Sequence, residues 1–239
     1  MPVTRKLPAI VAGVLAIALA GCGKADPTFD QRVHDYILAH PEVIQEAIDK
    51  LQQKQQAEAD AQTRKAIAQN RQAIEHDPRD FVANPNGKIT VTEFYDYRCP
   101  HCVNAAPAVV GLIKDNPDVR FVFKEFPIFG ATSERAAEGA IALARAHGDY
   151  VGLYRDFMAA RPLDDAAIDR ILAAHGVTAA MLQDQGLARD ATAQLADVRK
   201  LAIGLGIEGT PAFIIGDTLV PGEDMDAVRA AIQAQRGHS

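Results

Sequence analysis

The chain has 239 residues, 48% of them hydrophobic and 23% charged, the composition of an ordinary globular protein of one or two domains. Its formal charge is −6 and becomes about −8 when the first twenty-one residues, which hold Arg5 and Lys6 and no acid, are set aside. That acidic balance argues against nucleic acid as the main partner, because phosphate binding needs a basic face.

The first segment reads as an export signal. Met1 to Lys6 carries two positive charges, Leu7 to Leu19 is apolar apart from Pro8 and Gly13, and small residues precede Cys22. The apolar run is short of the roughly 20 residues that a membrane span needs. Leu19-Ala20-Gly21-Cys22 resembles a bacterial lipobox, which implies a lipoprotein signal peptide over residues 1–21, cleavage before Cys22, and lipid on that cysteine. The alternatives are an uncleaved anchor, or an ordinary signal peptide with a stray cysteine. On each reading the rest of the chain faces the cell envelope or periplasm, an oxidising space where disulfides persist. Lipidation of Cys22 would leave Cys99 and Cys102 as the only thiols.

Residues 22–83 read as a helical arm and spacer. Thr28-Phe29-Asp30-Gln31 fits a capping box with Thr28 as N-cap. Phe29, Val33, Tyr36 and Ile37 then recur at helical spacing, His40-Pro41-Glu42 interrupts, and Val43, Ile44, Ala47, Ile48 and Leu51 mark a second apolar stripe. Gln52 to Arg71 is polar, with little to bury, and reads as a solvated helix or spacer. A stripe so placed predicts oligomerisation through the arm; the alternative is that it packs back on its own domain.

The breakers Asp77-Pro78 and Asn84-Pro85-Asn86-Gly87 set the start of a second domain at residue 84. Lys88 to Tyr95 predicts a strand, Cys102 to about Asn116 a helix, and Val119 to Phe126 a second strand, parallel to the first. From about 131 to 205 the pattern is helical, with breaks at Gly148, Arg161-Pro162 and His175-Gly176. Thr210-Pro211 leads into Ala212–Ile215, Gly216-Asp217 turns, Thr218–Val220 returns as a hairpin, and Asp224 to about Gln235 closes the chain as a helix. The order β-α-β, helical block, β-β-α predicts an α/β, thioredoxin-like fold with a helical insertion, preceded by the helical arm.

The chemistry falls at the first strand-to-helix junction, Cys99-Pro100-His101-Cys102. A dithiol there has Cys99 exposed near the helix N-cap, where unpaired N–H groups and the helix dipole favour a thiolate, and Cys102 one turn further in, less exposed and placed to resolve a mixed disulfide. His101 can add positive charge or a hydrogen bond, and Pro100 stiffens the turn. A stabilised thiolate makes the disulfide the less stable form, hence an oxidant. Zinc needs four ligands, and no second pair accompanies this one; a purely structural disulfide across two residues would close almost no loop. No metal and no cofactor beyond the redox-active Cys99–Cys102 pair is expected. His147 and His175, each beside a glycine at a helix end, read as helix C-terminal polar residues.

Three motifs together resemble the DsbA family of thiol-disulfide oxidoreductases: Val91 to Cys102 with its Cys-Pro-His-Cys, Phe121-Val122-Phe123-Lys124-Glu125-Phe126-Pro127-Ile128, and Gly206-Ile207-Glu208-Gly209-Thr210-Pro211-Ala212-Phe213. The resemblance covers about residues 88–235, and the arm is similar to the N-terminal segment of a lipoprotein or ScsC-like subgroup that oligomerises. It implies a Thr210–Pro211 cis peptide beside the dithiol, with the Thr210 backbone free to pair with an extended substrate. It places Glu93 beneath the site, assisting proton transfer at Cys102; the residue pattern alone allows an exposed strand position. The implied function is introduction of disulfides into exported proteins with cysteines, with a membrane redox partner that reoxidises the dithiol. The alternative is an oligomeric disulfide isomerase or reductase.

Overall fold

The computed structural model describes residues 27–237, so the expected signal peptide over 1–21 and the lipidation site Cys22 lie outside the described residues. The chain divides into two compact units, residues 1–58 and 59–239.

In the first unit lie α1 (Pro27–Ala39) and the first part of α2 (Glu42–Glu75). The helix already includes Pro27, whose fixed φ suits a first turn, so Thr28 sits inside that turn instead of capping it, and Gln31 donates its amide to Asp35 at 2.8 Å. The break between the helices is held by His40, whose N–H donates to the Tyr36 carbonyl at 2.8 Å and whose ring lies 4.5 Å from that of Tyr36. The apolar stripe is uncovered among the described residues: Phe29, Val33, Tyr36, Leu38, Val43, Ile44, Ile48 and Leu51 are all exposed, Leu38 by 68%. Among the described residues no helix is long and apolar enough to cross a membrane.

The second unit takes in the end of α2. The polar stretch expected to be a solvated spacer up to Arg71 carries Ile67, which with Ile74 is fully buried. The two lie seven residues apart, two helical turns, and so point the same way. They join Phe94, Phe126, Ala202 and Ile214 in one core cluster. Asp77-Pro78 follows the end of α2 as expected, but the sheet begins before residue 84. The three-residue β1 (Phe81–Ala83) pairs antiparallel with β3 (Val119–Glu125), a strand too short to show a period of its own.

The sheet has the order β1-β3-β2-β4-β5, with β2 (Ile89–Tyr95) parallel to β3, and β4 (Ala212–Ile215) and β5 (Thr218–Pro221) forming an antiparallel hairpin against β2. All of β2 except Thr90 is buried, because helices cover both faces. On one face Val91 and Tyr95 belong to the main core with α3 (Pro100–Asp115); on the other Phe94 meets Ile67 and Ile74.

The insertion is five helices: α4 (Ala131–Arg145), α5 (Tyr150–Ala159), α6 (Asp165–Ala174), α7 (Ala179–Gln183) and α8 (Gln185–Gly204). Four of them begin at a capping side chain, that of Asp149, Asp164, Thr178 and Asp184 in turn, which accepts a backbone N–H three residues on. Arg161–Pro162, at the break between α5 and α6, is a cis peptide. His175 does end α6, and its Nε2 also lies 2.9 Å from Asp156 Oδ2. The chain closes with α9 (Met225–Arg236).

Candidate active site

The end of β2 is fixed by one carboxylate. Asp96, 1% exposed, accepts the N–H of Arg98 (2.7 Å) and the hydroxyl of Ser133 (2.8 Å) on Oδ1, and the N–H groups of Ile128 (2.7 Å) and Phe129 (2.9 Å) on Oδ2. Four donors tie the loop before the cysteines to the loop after β3. Cys99 follows as the N-cap of α3, and Pro100 stands at the first helical position, where its missing N–H costs nothing.

Both cysteines are free thiols. Cys102 is fully buried, as expected of the inner cysteine. Cys99 was expected to be exposed and is only 2% so. The reason is the loop that meets it: Phe94 pairs with Ala212, so the residues just before β4 arrive beside the end of β2. There Thr210–Pro211 forms a cis peptide, and the Cys99 Sγ–H donates to the Thr210 carbonyl at 3.1 Å. The Thr210 hydroxyl is buried, satisfies no other group, and is left to serve a Cys99 thiolate. Pro100 and His101 are exposed around the sulfur.

Cys99 is pulled down from 9.0 to about 5. The Cys102 thiol is the largest cause, followed on the lowering side by the Thr210 side chain and the N–H groups of Cys102 and His101, against the opposing effect of burial. Cys102 is pushed far up, first by burial and then by its hydrogen bond to Cys99 and the charge of Glu93. The contribution of His101 to the thiolate is its backbone N–H; its ring turns to Glu223, with Nδ1 3.3 Å from Oε1.

Glu93 is fully buried and not an exposed strand residue. Tyr154 donates to it weakly, at 3.3 and 3.4 Å, and burial raises it to about 8. Lys124 and Glu125, adjacent in sequence, part company. Lys124 is 1% exposed and pairs with Asp80, while Glu125 faces the main core beneath a ring of tyrosines. Tyr95, Tyr97 and Tyr150 all donate to its Oε1, at 2.7, 2.8 and 2.6 Å. Sequence reasoning passed over Asp96 and the tyrosines that bind Glu125. An aspartate after a strand looks like turn chemistry, and tyrosines at helical or strand spacing look like core. Among the described residues no group of three or more His, Cys, Asp or Glu is arranged to hold a metal ion.

A cysteine at a helix N-cap, a buried second cysteine one turn on, and a cis-proline loop against the pair define a thioredoxin-like thiol-disulfide oxidoreductase. Residues 90–233 match the DSBA-like thioredoxin domain, more than half of the chain, and the chain belongs to that family. Residues 28–58 match the copper resistance protein ScsC N-terminal domain. A thioredoxin-like oxidoreductase from Silicibacter pomeroyi DSS-3 is 35% identical, over 70% of this chain and 98% of that one, with a TM-score of 0.66. The catalytic domain of Proteus mirabilis ScsC is 28% identical over 72% and 97%, with a TM-score of 0.65. Salmonella enterica Typhimurium BcfH is 28% identical over 86% and 93%, with a TM-score of 0.71. Among curated proteins, the Na(+)/H(+) antiporter NhaA 3 of Salinispora tropica is 39% identical over 69 residues, 28% of this chain and 11% of the antiporter.

Proposed function

We propose that the protein introduces disulfides into exported proteins from the periplasmic side of a bacterial membrane, anchored by lipid at Cys22. The observation that carries this reading is the place of Cys99 at the α3 N-terminus against the cis Thr210–Pro211 loop, where the N–H groups of His101 and Cys102 help to hold its thiolate. A substrate thiolate attacks Cys99 Sγ of the oxidised pair; the Cys99–Cys102 bond breaks and Cys102 leaves as a thiolate that takes up a proton. A second substrate thiolate then attacks the substrate sulfur of the mixed disulfide, and Cys99 leaves as its stabilised anion. The substrate loses two electrons and the protein gains them, so a membrane redox partner must restore the disulfide. The Thr210 backbone beside the dithiol offers pairing to an extended substrate segment.

A second reading rests on a different observation. The exposed stripe of α1 and early α2 matches the ScsC N-terminal domain, and assembly of several chains through it would set several dithiols facing one substrate. Such an oligomer would reshuffle wrong disulfides.

Oxidation of a reduced model protein and reduction of insulin test the first reading: Cys99→Ala should lower both rates at least about a thousandfold, and retention of either would sink it. Refolding of a scrambled substrate by the reduced protein separates the two readings. Reactivation that is lost when residues 27–58 are deleted favours the isomerase, and no reactivation removes it.

A further inference from the structure

Beneath the dithiol the sheet carries two buried carboxyl groups. Glu93 pairs with Phe123 across β2 and β3, and Tyr95 pairs with Glu125. Paired residues of adjacent strands share a face, and residues two apart on one strand share it too, so Glu93 and Glu125 are diagonal neighbours on the face that supports α3. Both are fully buried and repel one another when both are ionised. Burial raises both, each to about 8, so at least one of the two keeps its proton at neutral pH and their surroundings decide which.

The hydrogen bonds say which. Glu125 Oε1 receives three tyrosine hydroxyls at 2.6–2.8 Å, from Tyr95 and Tyr97 on the β2 side and Tyr150 on α5. A neutral carboxylic acid has no use for three donors on one oxygen, whereas an anion is stabilised by each. Its Oε2 is buried without a partner, so the three hydroxyls on Oε1 are the whole of its hydrogen bonding. Glu93 has one donor, Tyr154 on α5, at 3.3 and 3.4 Å. The remaining charged or titratable groups around the pair are Asp96 at the end of β2, whose charge faces Glu125, and Cys102 on α3, whose ionisation Glu93 opposes.

We propose that Glu125, held as an anion by the hydroxyls of Tyr95, Tyr97 and Tyr150, keeps on Glu93 the proton that Cys102 takes up when the disulfide opens. Glu125 is thus a positioning residue acting through Glu93. The inference rests on the dithiol exchange proposed above. In that step the Cys99–Cys102 bond breaks, Cys99 bonds to the substrate sulfur, and the Cys102 thiolate takes the Glu93 proton. The resulting Glu93 carboxylate is reprotonated from water. No further oxidant or reductant enters.

The test is the pH dependence of substrate oxidation by the full oxidised chain, measured in single turnover between pH 6 and 10. The wild type should lose rate on the alkaline side as Glu93 gives up its proton. In Glu125→Gln the neighbouring charge is gone, Glu93 ionises more readily, and that alkaline limb should move down by about one pH unit. In Glu93→Gln the limb should vanish, and adding Glu125→Gln should then move nothing. Tyr150→Phe, which removes one donor to Glu125 and keeps the ring, should move the limb the same way by less, and it serves where Glu125→Gln does not fold. A folded, exchanging Glu125→Gln whose limb stays in place or moves up overturns the proposal. If the wild type shows no exchange at all, it is the functional reading that fails, and the two failures are told apart.

Discussion

The two units place their residues in opposite ways. Residues 27–58 leave large apolar side chains in solvent: Phe29 is 57% exposed, Leu38 68% and Leu51 55%. Residues 59–237 take Glu93, Asp96, Lys124 and Glu125 out of solvent, none more than 3% exposed. An exposed apolar stripe costs nothing only when something covers it, and a buried carboxyl is tolerated only when donors or a proton satisfy it. The first unit thus leaves an apolar stripe without cover among the described residues, while the second draws its polar groups inside and holds most of them by hydrogen bonds and ion pairs.

The sharpest break of that contrast is to delete the same kind of side chain in each unit. Ile67→Ala and Ile74→Ala empty sites with no solvent contact and should each destabilise the second unit by about 2–5 kcal/mol in denaturant unfolding. Ile48→Ala and Leu51→Ala should leave that unfolding transition within about 0.5 kcal/mol while shifting the sedimentation of the chain toward monomer. If the arm variants destabilise the second unit as much as the core variants do, the distinction between the units is wrong.

A smaller effect sharpens the chemical half of the contrast. The Cys99 thiol titrates near 9.0 when unperturbed and at about 5 in the fold. A depressed value stabilises the reduced fold fully above the unfolded value, and that stabilisation is lost as pH falls through the folded one. Reduced wild type compared with Cys99→Ser should therefore lose its advantage between about pH 9 and pH 5, by at least about 1–2 kcal/mol. Parallel unfolding curves at both pH values, with no change in the gap, would remove the anion from Cys99.

Much of this was legible in residues. The dithiol, the strands on either side of it and the Thr210-Pro211 loop stand out because cysteine spacing, β-branched runs and proline are strong local signals. The two-turn repeat of Ile67 and Ile74 did not stand out, because two apolar residues in a Gln-, Lys- and Ala-rich helix make a thin stripe that only the docking surface reveals. Strand β1 was too short to register, and it lies just before the breaker at Asn84-Pro85. The acid at Glu93 was open between solvent and core, since alternation along β2 fails when both faces are covered. The tyrosines around Glu125 come from β2, the turn after it and α5, and nothing local in these segments announces a shared carboxylate.

The smallest expected effect concerns His101, the residue between the cysteines that sequence alone makes prominent. Its ring is 66% exposed and its Nδ1 faces Glu223, while only its N–H serves the thiolate. Replacing the ring keeps the N–H. His101→Ala should therefore raise the midpoint of the Cys99 thiolate absorbance titration by less than about half a pH unit, because a solvent-exposed charge is screened. Thr210→Val, which removes the buried hydroxyl beside the sulfur, should raise it by more. An order reversed in the titration would mean that the ring swings from Glu223 to Cys99 in solution, and that the exposed side of the site, rather than the buried one, sets the thiolate.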